Sequence, residues 1–336
     1  MKILVIGGAG YIGSHVVKKL CDLKHSVTVY DNLSSGFKIN IDKRAKFVKG
    51  DILDYEKLQK TMKGFDAIMH FAALKSAGAS MIDIENYSKI NISGTINILN
   101  AMVKNNVKNI VFSSSAAVYG NPKYIPMDEQ HPLNPENFYG FTKLEIERIL
   151  EWYSKLKGIN YVALRYFNAA GYGDTSVIRG LEQNPANLLP IIMEVVTRKR
   201  KSLDVYGDDY PTKDGTGVRD YIHALDLADA HAIALEYLTK HKDDSKKKDN
   251  SKKKNIKQKN LIVNLASGKG YSVLEIIKST EKIIGKKVNY QIVPRRAGDP
   301  STVIASPKLA KKIIGWSAKY SELDDIIKSM WKAYNR

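Results

Sequence analysis

The chain has 336 residues, 43% of them hydrophobic, and a formal net charge of +18 at pH 7. A chain of this length and composition can bury a sizeable core and is expected to form two domains, or one domain with a large lobe. The sequence shows no signal-peptide pattern, no 18-residue apolar run, a single cysteine and no metal-ligand spacing, so we expect a cytoplasmic protein without membrane contact, internal disulfide or metal site.

The chain begins with a short apolar strand followed by a glycine-rich turn. Residues 2–6 read as a buried strand, and the turn from Gly7 to Gly13 leads into a helix predicted over 11–23. Glycines in such a turn permit a tight bend, close approach of a pyrophosphate and close packing of helix against strand. The phosphates would meet the helix N-terminus, where free N–H groups and the helix dipole favour negative charge. We predict a dinucleotide site; the alternative is an ordinary glycine-rich turn.

A second strand, predicted over 26–30, ends in an acidic residue. Asp31 lies 18 residues beyond Gly13. A carboxylate at this place can bind both ribose hydroxyls of NAD and would repel the 2′-phosphate of NADP. The sequence therefore predicts NAD as the cofactor.

Strand-like and helical stretches alternate through the first half of the chain. The predicted strands lie at 2–6, 26–30, 45–49, 67–70, 109–113 and 161–165. The alternation predicts an α/β fold with a doubly wound, mostly parallel sheet of the Rossmann type. The loops that follow parallel strands meet at one edge of the sheet. We therefore expect one crevice to bring together Gly7, Asp31, Asp51, Phe71 and Ser113.

The second half has a less regular pattern. We predict helices at 187–200, 225–238 and 273–284, and strands at 203–206, 261–264 and 289–293. We expect this part to form the substrate lobe, and the strand at 261–264, the helix at 273–284 and the strand at 289–293 to be its last elements. We predict an NAD-binding domain over 1–175 and a smaller α/β lobe over 176–336 that returns in part to the first domain.

Much of the positive charge is local. Residues 240–260 contain ten lysines and three aspartates, so 10 − 3 = 7 of the surplus charges lie in one run. With one aliphatic residue and no aromatic, the run cannot bury enough surface to offset its ordering entropy. We predict a disordered, solvated insert and no nucleic-acid partner; the alternative is a contact with a polyanion.

A tyrosine and a lysine stand at helical spacing near the middle of the chain. Tyr139 and Lys143 are four residues apart in a helix predicted to run to about residue 157, so both side chains share one face. A nearby cation favours the phenolate form of tyrosine, as does the positive ring of NAD+. Tyr139 could then act as a base near neutral pH. The alternative is an exposed aromatic residue beside a solvated lysine.

Three motifs carry a family resemblance: the glycine-rich turn, Ser-Ser-Ser-Ala-Ala-Val-Tyr-Gly at 113–120, and Tyr-Gly-Phe-Thr-Lys at 139–143. Together they resemble the extended short-chain dehydrogenase/reductase superfamily. Within it, the chain is similar to the UDP-glucose 4-epimerases over nearly its whole length except the lysine-rich insert. The segments that carry this similarity are 70–75, 164–171, 208–223 and 294–299.

The resemblance implies an isomerase of carbohydrate metabolism, acting on galactose-type nucleotide sugars. UDP-glucose and UDP-galactose would interconvert through a transient 4-ketose, with hydride passing to tightly bound NAD and back. Tyr139 would take the proton of the 4′-hydroxyl, Ser115 would bond that oxygen, and Lys143 would tune Tyr139 and hold the nicotinamide ribose. The resemblance also implies a homodimer formed by helices near 86–104 and 138–157.

The resemblance also implies two sets of binding residues. The cofactor would be lined by Gly7, Gly10, Tyr11, Ile12, Gly13, Asp31, Asn32, Asp51, Ile52, Phe71, Ala72, Lys75, Asn91, Ser113, Tyr139, Lys143 and Tyr166. The nucleotide sugar would be held by Asn168, Asn187, Leu188, Tyr206, Arg219, Arg296, Asp299 and Val303.

Several alternatives bear on the reaction. Dehydratases of the superfamily carry Thr-Asp-Glu where this chain has Ser113 to Ser115, which argues against dehydration. An epimerase or dehydrogenase of another nucleotide sugar, such as UDP-glucuronate, stays open, as does a non-catalytic NAD-binding protein. Val303 stands where strict glucose enzymes carry a tyrosine, so UDP-GlcNAc and UDP-GalNAc are possible further substrates.

Overall fold

The computed structural model describes residues 1–182, 185–239, 260–296 and 298–336. The strands in these ranges are β1 (Lys2–Ile6), β2 (Ser26–Asp31), β3 (Lys46–Lys49), β4 (Ala67–His70), β5 (Asn109–Ser115), β6 (Asn160–Tyr166), β7 (Asn168–Ala170), β8 (Leu203–Tyr206), β9 (Val218–His223), β10 (Leu261–Leu265), β11 (Gly270–Ser272), β12 (Tyr290–Val293) and β13 (Thr302–Val303). The α-helices are α1 (Tyr11–Asp22), α2 (Tyr55–Thr61), α3 (Ala77–Ser80), α4 (Ile84–Tyr87), α5 (Gly94–Lys104), α6 (Phe138–Lys157), α7 (Leu188–Val196), α8 (Ala224–Thr239), α9 (Val273–Ile284), α10 (Lys308–Ile314) and α11 (Leu323–Tyr334).

Seven strands form one parallel sheet in the order β10-β6-β5-β4-β1-β2-β3. The prediction of a doubly wound, mostly parallel sheet is confirmed. The strand order reverses between β1 and β4, and ligands of such sheets bind outside the carboxyl ends of the strands at that reversal. The fold thus places the glycine-rich turn and the loop after β4 side by side.

Helices cover both faces of this sheet, so its central strands read as continuous apolar runs. One face packs against α1 and α8, where Val16 and Leu227 are buried. The other face packs against α2, α5 and α6, where Ile98, Met102 and Leu150 are buried. Burial of strands on both sides is the reason that their sequence pattern is so easily recognised.

A smaller lobe lies at the carboxyl end of β6. Strand β7 starts two residues after β6 and pairs with β9, which also pairs with β11 and β13, while β8 pairs with β12. Helices α7, α9 and α11 pack together around Ile192, Ile276 and Ile327. The lobe is therefore held over the edge of the sheet at which parallel strands present their loops.

Some sequence expectations differ from the structure. The strand predicted at 261–264 was assigned to the substrate lobe, whereas β10 is the edge strand of the central sheet beside β6. Its apolar residues fit either place, because periodicity alone does not tell which sheet a strand joins. The helix predicted over 187–200 ends at Val196, before the basic run 198–201. The insert predicted at 240–260 lies, except for Asn260, outside the described residues.

Among the described residues, the structure contains no helix with the length and apolar character that crossing a bilayer requires.

Candidate active site

The glycine-rich turn has the shape that a phosphate-binding turn needs. A Cβ atom at Gly13 would lie 2.3 Å from the carbonyl oxygen of Gly7, so a side chain there would separate α1 from β1. A Cβ at Gly10 would meet no protein atom closer than 3.4 Å. Gly10 is also the N-cap residue of α1 and supplies no side-chain hydrogen bond, which leaves the helix N-terminus open to an anion. The small residue at position 10 is thus better explained by a ligand than by packing.

The end of β2 is tied to this turn by Asp31. Its carboxylate accepts hydrogen bonds from the N–H groups of Ala9, at 2.9 Å, and Leu33, at 2.8 Å. Burial raises the pKa of Asp31, and the two backbone bonds oppose that rise. The predicted ribose-binding carboxylate therefore lies directly beside the predicted phosphate-binding turn.

The loops after β2 and β3 are joined by a side-chain hydrogen bond. Asn32 donates to the carboxylate of Asp51 at 2.9 Å, and the other oxygen of Asp51 accepts from the N–H of Leu53 at 2.8 Å. Ile52 is buried between them and packs close to Gly94 of α5. These residues form the outer end of the crevice, next to Asp31.

The loop after β4 continues the crevice on its other side. The N–H groups of Phe71 and Ala72 both donate to the carbonyl of Ile6 in β1. Asn91 is fully buried; it accepts from the N–H of Leu74 at 2.8 Å and donates to the carbonyl of Leu74 at 3.0 Å and to Thr142 at 3.1 Å. In the protein alone, Asn91 shapes the loop before Lys75 rather than facing the cleft.

Helix α6 brings Tyr139 and Lys143 to the tip of β5. Asn137 caps the helix by accepting from the N–H of Gly140 at 2.9 Å. Lys143 donates from Nζ to the carbonyl of Ser113 at 2.8 Å, and the same Nζ lies 5.7 Å from the centre of the Tyr139 ring. The hydroxyl groups of Ser113 and Tyr166 are joined by a hydrogen bond. The predicted catalytic and nicotinamide-side residues therefore lie together.

The pKa values of the pair differ from the sequence expectation. Burial raises the pKa of Tyr139 to about 12, against the lowering effect of a hydrogen bond with Ser115. Burial lowers the pKa of Lys143 to about 7, against the raising effect of the Glu147 carboxylate. We expected the lysine cation to lower the pKa of the tyrosine. In the protein alone, removal from water is the largest cause of the pKa shift of each group.

A cavity of about 330 Å³ is lined in part by Asn168, two residues after Tyr166. Asp299 pairs with Arg219 at 2.5 Å, and the guanidinium of Arg296 lies 3.7 Å from the centre of the Tyr206 ring. Two arginines with planar, forked donors suit a diphosphate. Of the predicted sugar-nucleotide residues, those that line this cavity are Asn168, Asn187, Leu188, Tyr206, Arg219, Arg296 and Asp299.

Val303 lies outside that cavity lining. It pairs with Arg219 where β13 runs beside β9, and it packs against a cluster that contains Val118, Leu144 and Phe167. Val118 belongs to the turn that follows Ser115, so Val303 stands between that turn and the cavity. The structure therefore does not place Val303 among the cavity-lining residues, and its influence on the sugar stays a prediction.

Sequence reasoning missed a buried polar group behind the site. Glu147 accepts from both nitrogens of the Arg165 fork, at 2.9 and 2.6 Å, and from the hydroxyl of Ser114 at 2.5 Å. The signal was present, since Glu147 lies four residues after Lys143 and therefore on the same face of α6. Tyr210, Tyr221 and other side chains that line the cavity carried no recognisable spacing.

A known protein family matches most of this chain. The model for the "NAD dependent epimerase/dehydratase family" matches residues 3–246, which includes the glycine-rich turn, Tyr139 and Lys143. The chain belongs to that family. Within the part that the structure describes, no group of three His, Cys, Asp or Glu side chains is placed to hold a metal ion.

Individual relatives of the family match nearly the whole chain. The UDP-glucose 4-epimerase of Lacticaseibacillus casei is 44% identical over 334 residues, which cover 98% of this chain and 96% of that protein. A crystal structure of UDP-glucose 4-epimerase from Brucella ovis in complex with NAD matches with a TM-score of 0.92 at 40% identity, covering 99% of this chain and 98% of that one. The enzyme from Bifidobacterium longum in complex with NAD+ and UDP matches with a TM-score of 0.89 at 35% identity, covering 100% and 98%.

Proposed function

We propose that this chain is an isomerase that interconverts UDP-glucose and UDP-galactose by 4-epimerisation through a transient 4-ketose, with NAD as its cofactor. The proposal rests on the closeness of the cofactor crevice to the cavity along the segment from Tyr166 to Asn168. Tyr166 is bonded to Ser113 on the cofactor side, and Asn168, two residues further on, lines the cavity with the two arginines. A sugar attached to a diphosphate in that cavity would therefore lie beside Tyr139.

The residues fit NAD on structural grounds. The open space at Gly10, the uncapped N-terminus of α1 and the carboxylate of Asp31 suit its phosphates and its adenosine ribose. Lys143 and Tyr166 would hold the nicotinamide half. When bound, NAD supplies a group that accepts a hydride from C4′ of the sugar and returns it.

Tyr139 handles the proton in this proposal. As a base it takes the proton of the 4′-hydroxyl, and as an acid it returns it, while Ser115 bonds the same oxygen. In the protein alone the pKa of Tyr139 is about 12, which keeps it protonated at neutral pH. A positive charge beside the ring stabilises the phenolate, so binding of oxidised cofactor prepares Tyr139 for its role.

The cavity residues hold the diphosphate and position the sugar. Arg219 is already paired with Asp299, and the guanidinium of Arg296 lies over the ring of Tyr206. Both guanidinium groups are thus oriented before the substrate arrives, which reduces the entropy lost on binding.

The test is a coupled assay of the purified protein with UDP-galactose and no added NAD. UDP-glucose is measured after quenching, with UDP-glucose dehydrogenase and its own cofactor. Formation of UDP-glucose supports 4-epimerisation with cofactor retained through purification. Absence of product after preincubation with NAD would contradict 4-epimerisation of UDP-galactose, and UDP-glucuronate would then be tested as the substrate. Accumulation of NADH in solution would indicate a dehydrogenase. No reaction with any nucleotide sugar would favour a non-catalytic NAD-binding protein.

We also propose a homodimer formed through α6 and the helices near 86–104. Phe141, Trp152 and Leu156 on α6 are 41%, 61% and 69% exposed in the single chain. Phe141 and Trp152 share one face of the helix, and exposed aromatic residues on one face favour a protein interface. Light scattering of the purified protein tests this proposal. The cytoplasmic location stays a prediction, which cell fractionation tests.

A further inference from the structure

A segment of the small lobe crosses the cofactor edge of the large domain. We call residues 171–182 the strap; they follow β7 and run towards α7. At its start, the carbonyl of Gly171 accepts a hydrogen bond from the hydroxyl of Tyr11. Two residues on, the N–H of Gly173 donates to Nε2 of His15 at 2.9 Å. Both contacts fasten the strap to α1, the helix that follows the glycine-rich turn.

The far end of the strap is fastened by Asn40. Its Oδ1 accepts from the N–H groups of Arg179, at 2.9 Å, and Gly180, at 2.5 Å, and its Nδ2 donates to the carbonyl of Gly180 at 3.0 Å. Asn40 is only 2% exposed, and all three bonds go to the backbone of the strap. Beyond it, Glu182 pairs with Lys75 at 2.5 Å.

These contacts are distributed along the carboxyl edge of the central sheet. Tyr11 follows β1, Asn40 lies in the connection between β2 and β3, and Lys75 follows β4. Tyr11 and Lys75 also belong to the predicted cofactor set, and the strap engages the polar end of each. The strap therefore spans the same loops that a dinucleotide would have to touch.

Packing at Gly180 leaves the strap little freedom near Asn40. A Cβ atom there would lie 2.7 Å from the ring of Phe37. Phe37 in turn donates its N–H to the carbonyl of Ala9, inside the glycine-rich turn, at 3.0 Å. The strap is thus seated, through Phe37, against the turn that would carry the phosphates.

We propose that the strap closes over bound NAD and that Asn40 is a positioning residue, a latch whose release limits how fast the cofactor leaves. This inference rests on the proposed function, because it presupposes that NAD occupies the crevice. Asn40 has no part in moving a proton or binding the sugar. Its side chain fastens the strap, and a cofactor that must pass the strap leaves only when those three bonds break.

The experiment measures NAD release from the purified holoenzyme. Wild type and Asn40→Ala are diluted into NAD-free buffer containing an NAD-consuming enzyme, and protein-bound NAD is assayed over time after denaturation. Loss of three hydrogen bonds should make release from Asn40→Ala at least ~10-fold faster. Turnover lost on dilution should return when NAD is added. A merely structural defect would not give this combination.

Matched variants distinguish loss of the Asn40 hydrogen bonds from a general loss of stability. Asn105→Ala removes two side-chain bonds to backbone carbonyls at the end of α5, on the amino side of the sheet, and should release NAD at the wild-type rate. Gly180→Val should speed release while the Asn40 side chain is kept, because the valine collides with Phe37 and displaces the backbone groups of residue 180 that Asn40 binds. Asn40→Asp, which keeps the acceptor oxygen and loses the donor, should fall between wild type and Asn40→Ala and serves if the alanine variant does not fold.

The outcomes are distinct. Wild-type protein that holds NAD while Asn40→Ala and Gly180→Val release it faster supports the latch. Wild-type release rates in both variants would overturn the latch and leave the proposed function intact. Failure of the wild type to bind NAD at all would overturn both.

Discussion

Tyr139 and Lys143 have opposite pKa shifts that come from one cause. Burial raises the pKa of Tyr139 to about 12 and lowers that of Lys143 to about 7. In each case the neutral form is favoured, because both charged forms lose hydration. A positive charge close to the ring would lower the pKa of Tyr139, and oxidised NAD would bring one. Without a bound cofactor, Tyr139 is therefore expected to stay protonated at neutral pH.

The first prediction concerns the tyrosine hydroxyl. Tyr139→Phe keeps the ring that packs beside Lys143 and removes the group that exchanges the proton. We expect turnover to fall by at least ~100-fold, the usual scale for a positioned acid–base group. Turnover with UDP-galactose in the presence of saturating NAD measures the effect, so that a loss of cofactor is not mistaken for a loss of proton transfer. Tyr290→Phe, at an exposed position of β12, is the control. A turnover of Tyr139→Phe close to wild type would remove Tyr139 from the mechanism.

The second prediction concerns the space beside the sugar. Val303 is small and stands between the turn after Ser115 and the cavity. We expect the wild type to convert UDP-GlcNAc, and Val303→Tyr to lower kcat/KM for UDP-GlcNAc by at least ~10-fold more than for UDP-glucose. The ratio of the two kcat/KM values checks this. An equal effect on both substrates, or no wild-type activity on UDP-GlcNAc, would contradict a role of Val303 in choosing between these sugars.

At the scale of elements, α6 is fastened to β5 by two residues one turn apart. Lys143 donates to the carbonyl of Ser113, and Glu147 accepts from the hydroxyl of Ser114. Glu147 also holds Arg165 of β6 in a two-bond pair, and both side chains are 3% exposed. The position of Lys143 against the strand tip therefore depends on a buried ion pair that joins one helix to two strands.

The third prediction tests that ion pair. Glu147→Gln leaves the guanidinium of Arg165 buried without its counter-charge and should lower the free energy of unfolding by about 3 kcal/mol or more. Glu145→Gln, which breaks the more exposed pair with Arg148 on the same helix, should lower it by less than about 1 kcal/mol. Urea unfolding measures both. The double variant Glu147→Gln/Arg165→Met should recover much of the loss; equal effects of the two single variants would contradict the argument.

The secondary-structure elements also differ in how well they could be predicted from the sequence. The strands of the central sheet follow from continuous apolar runs, since both faces are covered, and their bounds were predicted to within about two residues. Strands β7, β9, β11 and β13 were missed because they are short and carry polar residues such as Asn168 and Arg219. Those residues entered the predicted site only through motif resemblance. Asn40 could not be found, because its three partners are backbone groups 139 and 140 residues away.

At the scale of the whole molecule, four histidines are buried in the neutral form. Burial lowers the pKa to about 4 for His15 and His231 and to about 3 for His70 and His223. They lie in α1, α8, β4 and β9, so they are distributed over both the sheet and the small lobe. His15 additionally accepts the N–H of Gly173 at the start of the strap, which it can do only with a neutral Nε2.

The last prediction follows from the protons that these histidines bind on unfolding. Between their native pKa values and about 6.5, the unfolded chain binds protons that the native chain does not, so the free energy of unfolding rises with pH in that window and is lost as the pH falls. Buried carboxyls work in the opposite direction, Asp220 above all, whose pKa burial raises to about 6. Four histidines outweigh it, and we expect the free energy of unfolding at pH 5 to be at least about 3 kcal/mol below that at pH 7.

Urea unfolding at a series of pH values measures this dependence, and one histidine can be isolated within it. His231→Gln removes a ring whose Nε2 has no hydrogen-bond partner among the described residues and whose Nδ1 bonds the carbonyl of Leu227 at 2.7 Å, so one hydrogen bond is lost. Its slope between pH 6 and pH 5 should be shallower than that of the wild type by up to about 1.4 kcal/mol per pH unit, the contribution of one proton. Parallel curves for the two proteins would mean that His231 does not gain a proton on unfolding and would contradict its part in the acid sensitivity, leaving the other three buried histidines to account for it.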